Sequence, residues 1–276
     1  MNYIKWLFTM IKENYCYKNK TKEYIYYLDN DNSNNITVMT FNIRRDCYKD
    51  GINSWYNRKN AIVKMIISNR PDIICLQEVM PHMAKYLMYR LSSIYEFKGI
   101  ECFTNKDLTK SNFIFGEGLL TLYRKDRFGF VNKHIIPLKD ARPINLRRAF
   151  VTFLYDRNTY KIINIINTHF CAISRECRKQ SFDILYNYYK DCLNPDDTYI
   201  CGDFNCSTTW TDNGIEIFTN NFNYNKSELG TINNFKQQTK LIIDYIFTNT
   251  IINNTKVMDS ELETNYLSDH NPVIIN

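Results

Sequence analysis

Six apolar runs in this sequence are closed, interrupted or preceded by polar groups able to bind a metal ion or a phosphate. Thr40-Phe41-Asn42 closes the first and Leu76-Gln77-Glu78 the second. Asn167-Thr168-His169 and Cys201-Gly202-Asp203-Phe204-Asn205 close two more. Ile243-Asp244-Tyr245 interrupts a fifth, and Ser268-Asp269-His270 precedes the last short run. A lone Asp after a strand is usually a cap or turn residue. Six endings that all carry Asn, Asp, Glu or His exceed what capping needs, and ligands gather where strand ends of an α/β sheet converge. Carboxylate and amide oxygens suit Mg²⁺, which keeps several of its waters. An aspartate can orient and deprotonate a water, and a histidine held by a carboxylate can donate to a phosphoryl oxygen. The chemistry indicated is metal-assisted phosphoester hydrolysis. The chain has no phosphate loop of the Gly-x-x-x-x-Gly-Lys type, no Gly-x-Gly-x-x-Gly fingerprint and no Gly-x-Ser-x-Gly elbow.

These residues need strands to hold them and helices to cover the strands. Ile36–Asn42, Asp72–Gln77, Gly118–Tyr123, Ala149–Tyr155, Lys161–Thr168, Tyr199–Gly202, Leu241–Phe247 and Val273–Ile275 read as strands. Asp72–Gln77 is continuously apolar until its end, as a strand covered on both faces should be. Arg58–Asn69 reads as a helix, with Ile62, Met65 and Ile66 on one face. Met83, Leu87 and Leu91 mark a second, and Ser174–Lys190 a third with Phe182, Leu185, Tyr186 and Tyr189 in a stripe. Strands alternating with helices predict one α/β domain over residues 36–276.

Ahead of it, residues 1–35 form an N-terminal extension. Ile4, Leu7, Phe8 and Ile11 follow helical spacing, which predicts a short amphipathic helix packed by that stripe. Contact with a membrane surface or a partner is the other reading of the stripe. Asp29–Asn35 is polar and reads as a linker. Lys5 interrupts the only apolar stretch near the start, which makes a poor signal peptide.

The 276 residues include 44% hydrophobic and 23% charged side chains, ordinary for a globular chain. The 35 asparagines are spread through patterned segments, so they reflect biased usage rather than a prion-like tract. No apolar run reaches the ~18 residues of a membrane span. Nine cysteines, an odd number without a Cys-x-x-Cys pair, point away from disulfides and towards a reducing, cytoplasmic compartment. Four histidines without Cys/His ligand spacing point away from a structural zinc site. Residues 101–180 carry 15 basic and 7 acidic side chains, while residues 181–276 carry 5 and 13. A basic middle suits a polyanion, and an acidic end suits divalent-metal ligands.

The six endings, in this order, resemble the endonuclease/exonuclease/phosphatase superfamily, the group of deoxyribonuclease I, exonuclease III-type endonucleases, sphingomyelinases and inositol phosphatases. Thr40–Arg44, Asn53-Ser54-Trp55, Asn57-Arg58-Lys59 and Tyr123–Phe128 resemble a little-characterised microbial branch of it. The chain departs from that branch after Thr168-His169, where Phe170-Cys171-Ala172 replaces Leu-Asp-His. It also lacks the branch's Gly-Arg-Asp-Asp-Gly segment, so substrate class does not carry over.

The resemblance implies a four-layer α/β/β/α sandwich of the deoxyribonuclease I type, with the site at the mouth between two sheets. It implies that Glu78 ligates Mg²⁺ (or Mn²⁺), with Asn42 and Asp269 beside it. Asp203 would orient and activate water and Asn205 hold it or a phosphate oxygen, while Asp244 and His270 form a carboxylate–imidazole pair and His169 meets the scissile phosphate. Arg44 and Arg148 are candidate phosphate clamps, because a guanidinium binds phosphate oxygens in pairs. For Arg148 a plain salt bridge is the equal alternative. The expectation is a monomeric phosphodiesterase acting on nucleic acid. A phospholipid or a small phosphate ester is the second reading, and a catalytically silent binding module a third.

Overall fold

The computed structural model describes residues 3–17, 34–111, 115–144, 146–193 and 197–276. Most of the predicted linker therefore lies outside the described residues. After helix α1 (Tyr3–Cys16), the first half contains β1 (Val38–Asn42), a 3-10 segment (Tyr48–Asn53), α2 (Trp55–Asn69), β2 (Ile73–Val79), α3 (Pro81–Leu91), β3 (Tyr95–Glu101) and β4 (Gly118–Arg124). The second half contains β5 (Phe128–Pro137), β6 (Arg148–Asp156), β7 (Lys161–His169), α4 (Arg175–Cys192), β8 (Thr198–Asp203), α5 (Glu216–Thr219), β9 (Asn223–Tyr224), β10 (Asp244–Thr248), β11 (Thr255–Val257) and β12 (Val273–Ile275).

Two six-stranded sheets result. Sheet A runs β11-β12-β1-β2-β4-β3 and sheet B runs β5-β6-β7-β8-β10-β9. At the heart of each lies one parallel pair, β1 with β2 and β7 with β8, joined through α2 and α4 respectively. A parallel pair needs such a crossover, and the crossover helix covers the outer face. Pro81 opens α3 at a position where a missing N–H costs nothing. Ser174 caps α4 by accepting from Cys177 N at 3.2 Å.

The apolar side chains sort into three layers of core. Trp55, Ile62, Met83 and Leu87 pack under sheet A with Phe41, Ile74 and Leu76. Val38, Ile73, Cys75, Ile165, Cys201, Ile246 and Val273 fill the space between the sheets. Phe182, Phe204, Phe218 and Phe247 dominate the layer beneath α4 and α5, with Phe204 and Phe247 edge-to-face at 5.2 Å. Helix, sheet, sheet and helix form the predicted four-layer sandwich.

Polar ties join the sheets at both ends. Near the mouth, Gln77 Nε2 donates to Asn167 Oδ1 at 2.9 Å, and Asn167 Nδ2 donates back to Leu76 O at 3.1 Å. At the far end, Arg127 reaches Asp72 at 3.1 Å and Asp156 at 3.0 Å. That staple is what the segment Tyr123–Phe128 builds.

The structure corrects three expectations. Helix α1 forms, yet its buried residues are Trp6, Met10, Glu13 and Asn14, while Ile4 and Phe8 point outward. Lys59 pairs with Glu13, and Lys85 Nζ donates to Asn14 Oδ1 at 2.6 Å, so polar partners on α2 and α3 select the other face. The run Leu241–Phe247 is a strand only from Asp244, because Leu241 O and Ile243 N are bound to Thr231 instead. Strands β3 and β5 were not expected. An edge strand with five successive exposed residues, as in β5, shows no apolar period.

Candidate metal and phosphate site

The mouth is where β1, β2, β7 and β8 all end. Parallel register sets Asn42 opposite Gln77 and His169 opposite Asp203. Glu78 is aimed by a bulge: the β2–β4 register shifts between Leu76 and Val79, and Glu78 itself lies at φ 58°. Gly202 lets β8 lie close to β7, since a Cβ there would stand 2.1 Å from Thr168 O. Asp203 faces Asp244 across the antiparallel β8–β10 pair. Asp269 and His270 arrive on the segment before β12.

The side chains meet in a connected set. Asn42 Nδ2 donates to Glu78 Oε1 at 3.2 Å and to Asp203 Oδ2 at 3.1 Å. Its Oδ1 accepts from Arg44 N at 3.0 Å, so the amide serves here as a donor between the two carboxylates. Arg45 N donates to Glu78 Oε2 at 3.0 Å. His270 Nδ1 stands 2.9 Å from Asp244 Oδ2, and its Nε2 lies 3.8 Å from Asp203 Oδ2. His169 Nε2 lies 3.4 Å from the same oxygen. Asn205 N donates to Asp203 Oδ1 at 2.8 Å, and its side chain donates to Phe170 O at 3.1 Å.

The two arginines sit differently. Arg44 is held by Asp50 through two bonds of 3.2 Å and lies 3.4 Å from Asp269. Arg148 donates to Asn105 Oδ1 at 2.9 Å and to Arg147 O at 2.7 Å. It lines a small crevice with Glu78, Glu117, Arg147 and His169. Glu117 and Arg147 had no place in the sequence reading. Glu117 lies 3.5 Å from Arg45 and 4.0 Å from Arg147. Its one signal was a carboxylate directly before a fully buried strand.

Electrostatics separate the carboxylates. Burial pushes Glu78 up, but Arg45 N, Arg44, His270 and Asn42 outweigh it and hold the group below its ordinary range. Asp203 is pushed up to about 7, by burial first and by Asp244 second. Asp269 and Glu117 are also raised, mainly by burial. Burial alone would lower His270, yet Asp244 and Asp203 raise it well above its usual value. His169 is lowered well below its usual value by burial and then by Arg147.

This donor set fits a hard divalent cation. Five carboxylates crowd one mouth, and Asp244 Oδ1 is buried without a hydrogen bond. Asp203, Asp244 and His270 each offer a ligand atom within 4.8 Å of the others. Because His270 Nδ1 is engaged with Asp244, that trio reads as a proton-handling unit. The oxygens of Glu78, with Asp269 nearby, are donors of the type a hard cation takes.

The chain matches the Endonuclease/Exonuclease/phosphatase family over residues 39–270. It is 26% identical over 115 residues to carbon catabolite repressor protein 4 homolog 1 of Arabidopsis thaliana, a match covering 38% of this chain and 19% of that protein. The fold is similar to that of a mannosyl-6-phosphatase of Bacteroides thetaiotaomicron, with a TM-score of 0.74 and 21% identity over 88% of this chain and 99% of that one. It is also similar to D. rerio TDP2 complexed with single-strand DNA product, with a TM-score of 0.65 and 15% identity over 87% and 97%. Both structural likenesses are of fold. With the match spanning most of the sandwich and the site residues clustered at its mouth, the chain belongs to the endonuclease/exonuclease/phosphatase family and is a metal-dependent phosphoric ester hydrolase.

Proposed function

We propose that the chain hydrolyses phosphodiesters of nucleic acid, with Mg²⁺ or Mn²⁺ held by Glu78, and with Asn42 and Asp269 beside it. The single observation that carries the reaction is Asp203, fully buried, poised near 7 and flanked by two imidazoles. A general base is most useful when its pKa lies near the working pH. Asp203 orients the attacking water and takes its proton, and Asn205 holds Asp203 through its backbone N–H. His270, kept charged by Asp244, donates to the phosphoryl oxygens as negative charge builds. His169 donates to the scissile phosphate from the other side. The cation supplies charge neutralisation and lowers the cost of forming the anionic transition state.

Nucleic acid is favoured by the loops around the mouth. Lys106, Lys110, Lys139 and Arg175 are exposed there, and Arg142 and Arg148 are half-buried. Phe103, Phe115 and Trp210 are 47%, 55% and 42% exposed on loops at the same end of the sheets. Cations that track a backbone and aromatic rings that stack on bases are what single strands bind. The second reading, a small phosphate ester, draws on the likeness to a mannosyl-6-phosphatase. A phospholipid draws on the exposed Ile4 and Phe8 of α1. The test is a cation-dependent assay on single-stranded DNA and RNA, sugar phosphates and sphingomyelin, with binding by an Asp203→Asn protein measured against salt. Nucleic-acid affinity should fall steeply with salt through counterion release. Turnover of sugar phosphate or lipid alone would overturn the substrate reading and leave the hydrolytic one intact.

A further inference from the structure

Two sequence motifs, Asn53-Ser54-Trp55 and Asn57-Arg58-Lys59, take no part in the chemistry above. Both converge on Arg58. Its side chain is completely buried in the second turn of α2. None of the ion pairs among the described residues includes it; instead it donates to four backbone carbonyls. Nε reaches Asn53 O at 2.6 Å, and Nη2 reaches Arg44 O at 3.0 Å. Nη1 alone reaches both Ile43 O and Leu267 O, each at 2.7 Å. The rings of Trp55 and Phe235 lie 6.0 and 5.8 Å away.

Those four carbonyls are not a random sample of backbone. Ile43 and Arg44 follow Asn42 directly, and Leu267 stands two residues before Asp269. Asn53 closes the 3-10 segment that carries Asp50, the partner of Arg44. Phe235 belongs to a loop whose Asn233 and Asn234 N–H groups donate to Asp269 O at 2.8 and 3.1 Å. One direct strut runs beside the arginine: Ser268 Oγ donates to Asn42 O at 2.7 Å. Irregular segments leave carbonyls without strand partners, and buried ones must be met by some donor. Burying a guanidinium without a carboxylate is costly, and burial pulls Arg58 down to about 10.

We infer that Arg58 is a positioning residue: its guanidinium sets the separation between the segment bearing Asn42 and the segment bearing Asp269 and His270, and so shapes the cation seat. This rests on the reading of Glu78, with Asn42 and Asp269 beside it, as that seat. The rigid fork is essential, because a lysine ammonium presents its donors from one point and cannot span carbonyls on separate loops.

The test compares the full-length wild-type chain with Arg58→Lys and Arg58→Met. Mn²⁺ binding is titrated by electron paramagnetic resonance well below the melting temperature, and metal-free melting is followed by circular dichroism. Residues that orient metal ligands from outside typically change affinity on the order of 10-fold or more, and we expect at least that weakening in both variants. Turnover should fall with KM little changed. If melting falls while Mn²⁺ affinity stays within about 2-fold of wild type, Arg58 is structural only and the inference is wrong. If Arg58→Met does not fold, Arg58→Lys in sucrose gives the same readout, since sucrose favours the folded state. A wild-type chain that binds no Mn²⁺ defeats the cation seat itself, which is a different failure.

Discussion

In sheet A the parallel pair β1 and β2 delivers Asn42 and Glu78 to the mouth; in sheet B the parallel pair β7 and β8 delivers His169 and Asp203. The scaffolding is the same, a strand, a crossover helix and a second strand in register. The endings differ. On the A side the strand is bulged, Glu78 takes a left-handed conformation and a backbone N–H grips its carboxylate. On the B side the register runs straight through His169 and Asp203, and imidazoles surround the carboxylate. Glu78 is consequently held below its usual range, while Asp203 rises to about 7. One scaffold thus yields a side whose carboxylate stays charged and a side whose carboxylate is raised, and the proposed reaction assigns the first to the cation and the second to the water's proton. His270 comes from the A-side segment but pairs with Asp244 on sheet B, and so couples the two.

Breaking the two sides separately should give opposite signatures. Asp203→Asn should lower turnover on the order of 10²–10⁴-fold, while the dissociation constant for substrate, measured by equilibrium binding, stays near wild type. Glu78→Gln should remove the stabilisation by cation seen in a thermal shift. For a wild-type chain at ~100 times the dissociation constant that stabilisation is about 2.7 kcal/mol. Metal-free melting of Glu78→Gln should be nearly unchanged. If Asp203→Asn lost the cation shift and Glu78→Gln kept it, the division between the sides would be reversed.

The coupling through His270 can be sharpened by a double-mutant cycle on turnover. Asp244→Asn and His270→Ala should cost similar amounts, and the double variant should cost less than their sum, with about 1–3 kcal/mol of interaction. Strict additivity would show that they act independently.

The smallest effect is a pH slope. Asp203, Asp269 and Glu117 are raised in the folded chain, so they retain protons that the unfolded chain has lost. That contribution to stability is full at low pH and fades as pH rises towards 7. His270, also raised, acts in the same direction above its ordinary value. Glu78 and His169, being lowered, act oppositely, Glu78 only at and below about pH 4.5 and His169 up to about its ordinary 6.5, so within the window the four raised groups are set against His169 alone. The metal-free melting temperature should therefore fall between about pH 5 and 8, by ~1 kcal/mol or roughly 3 °C once the proton is shared across the cluster. A saturating cation should flatten the slope. A melting temperature that climbs across this window would mean that the cluster is not raised as a whole.

Much of this arrangement was legible in the sequence because polar residues closing apolar runs are a local signal. Thr40–Asn42, Thr168-His169 and Asp203 could be found that way, and the alternation of strands and helices foretold one α/β domain, while the four layers followed from the family resemblance. Glu117 and Arg147 could not, because what brings them to the mouth is the distant pairing of β3 with β4 and of β5 with β6. The face of α1 was misread for a related reason. Hydrophobic spacing alone cannot weigh Lys59 and Lys85, which lie on other helices and hold Glu13 and Asn14 inward. The role of Arg58 was invisible as well, since its partners are carbonyls, which have no residue type.

Arg44, Glu78 and Asn205 all sit at positive φ, at 54°, 58° and 49°. Side chains other than glycine carry a cost of ~1–3 kcal/mol each in such conformations. Glycine would relieve that strain at all three places, and would remove the side chains that the proposed reaction uses. Strain at the mouth is thus held in the backbone by the residues on which the proposed chemistry depends.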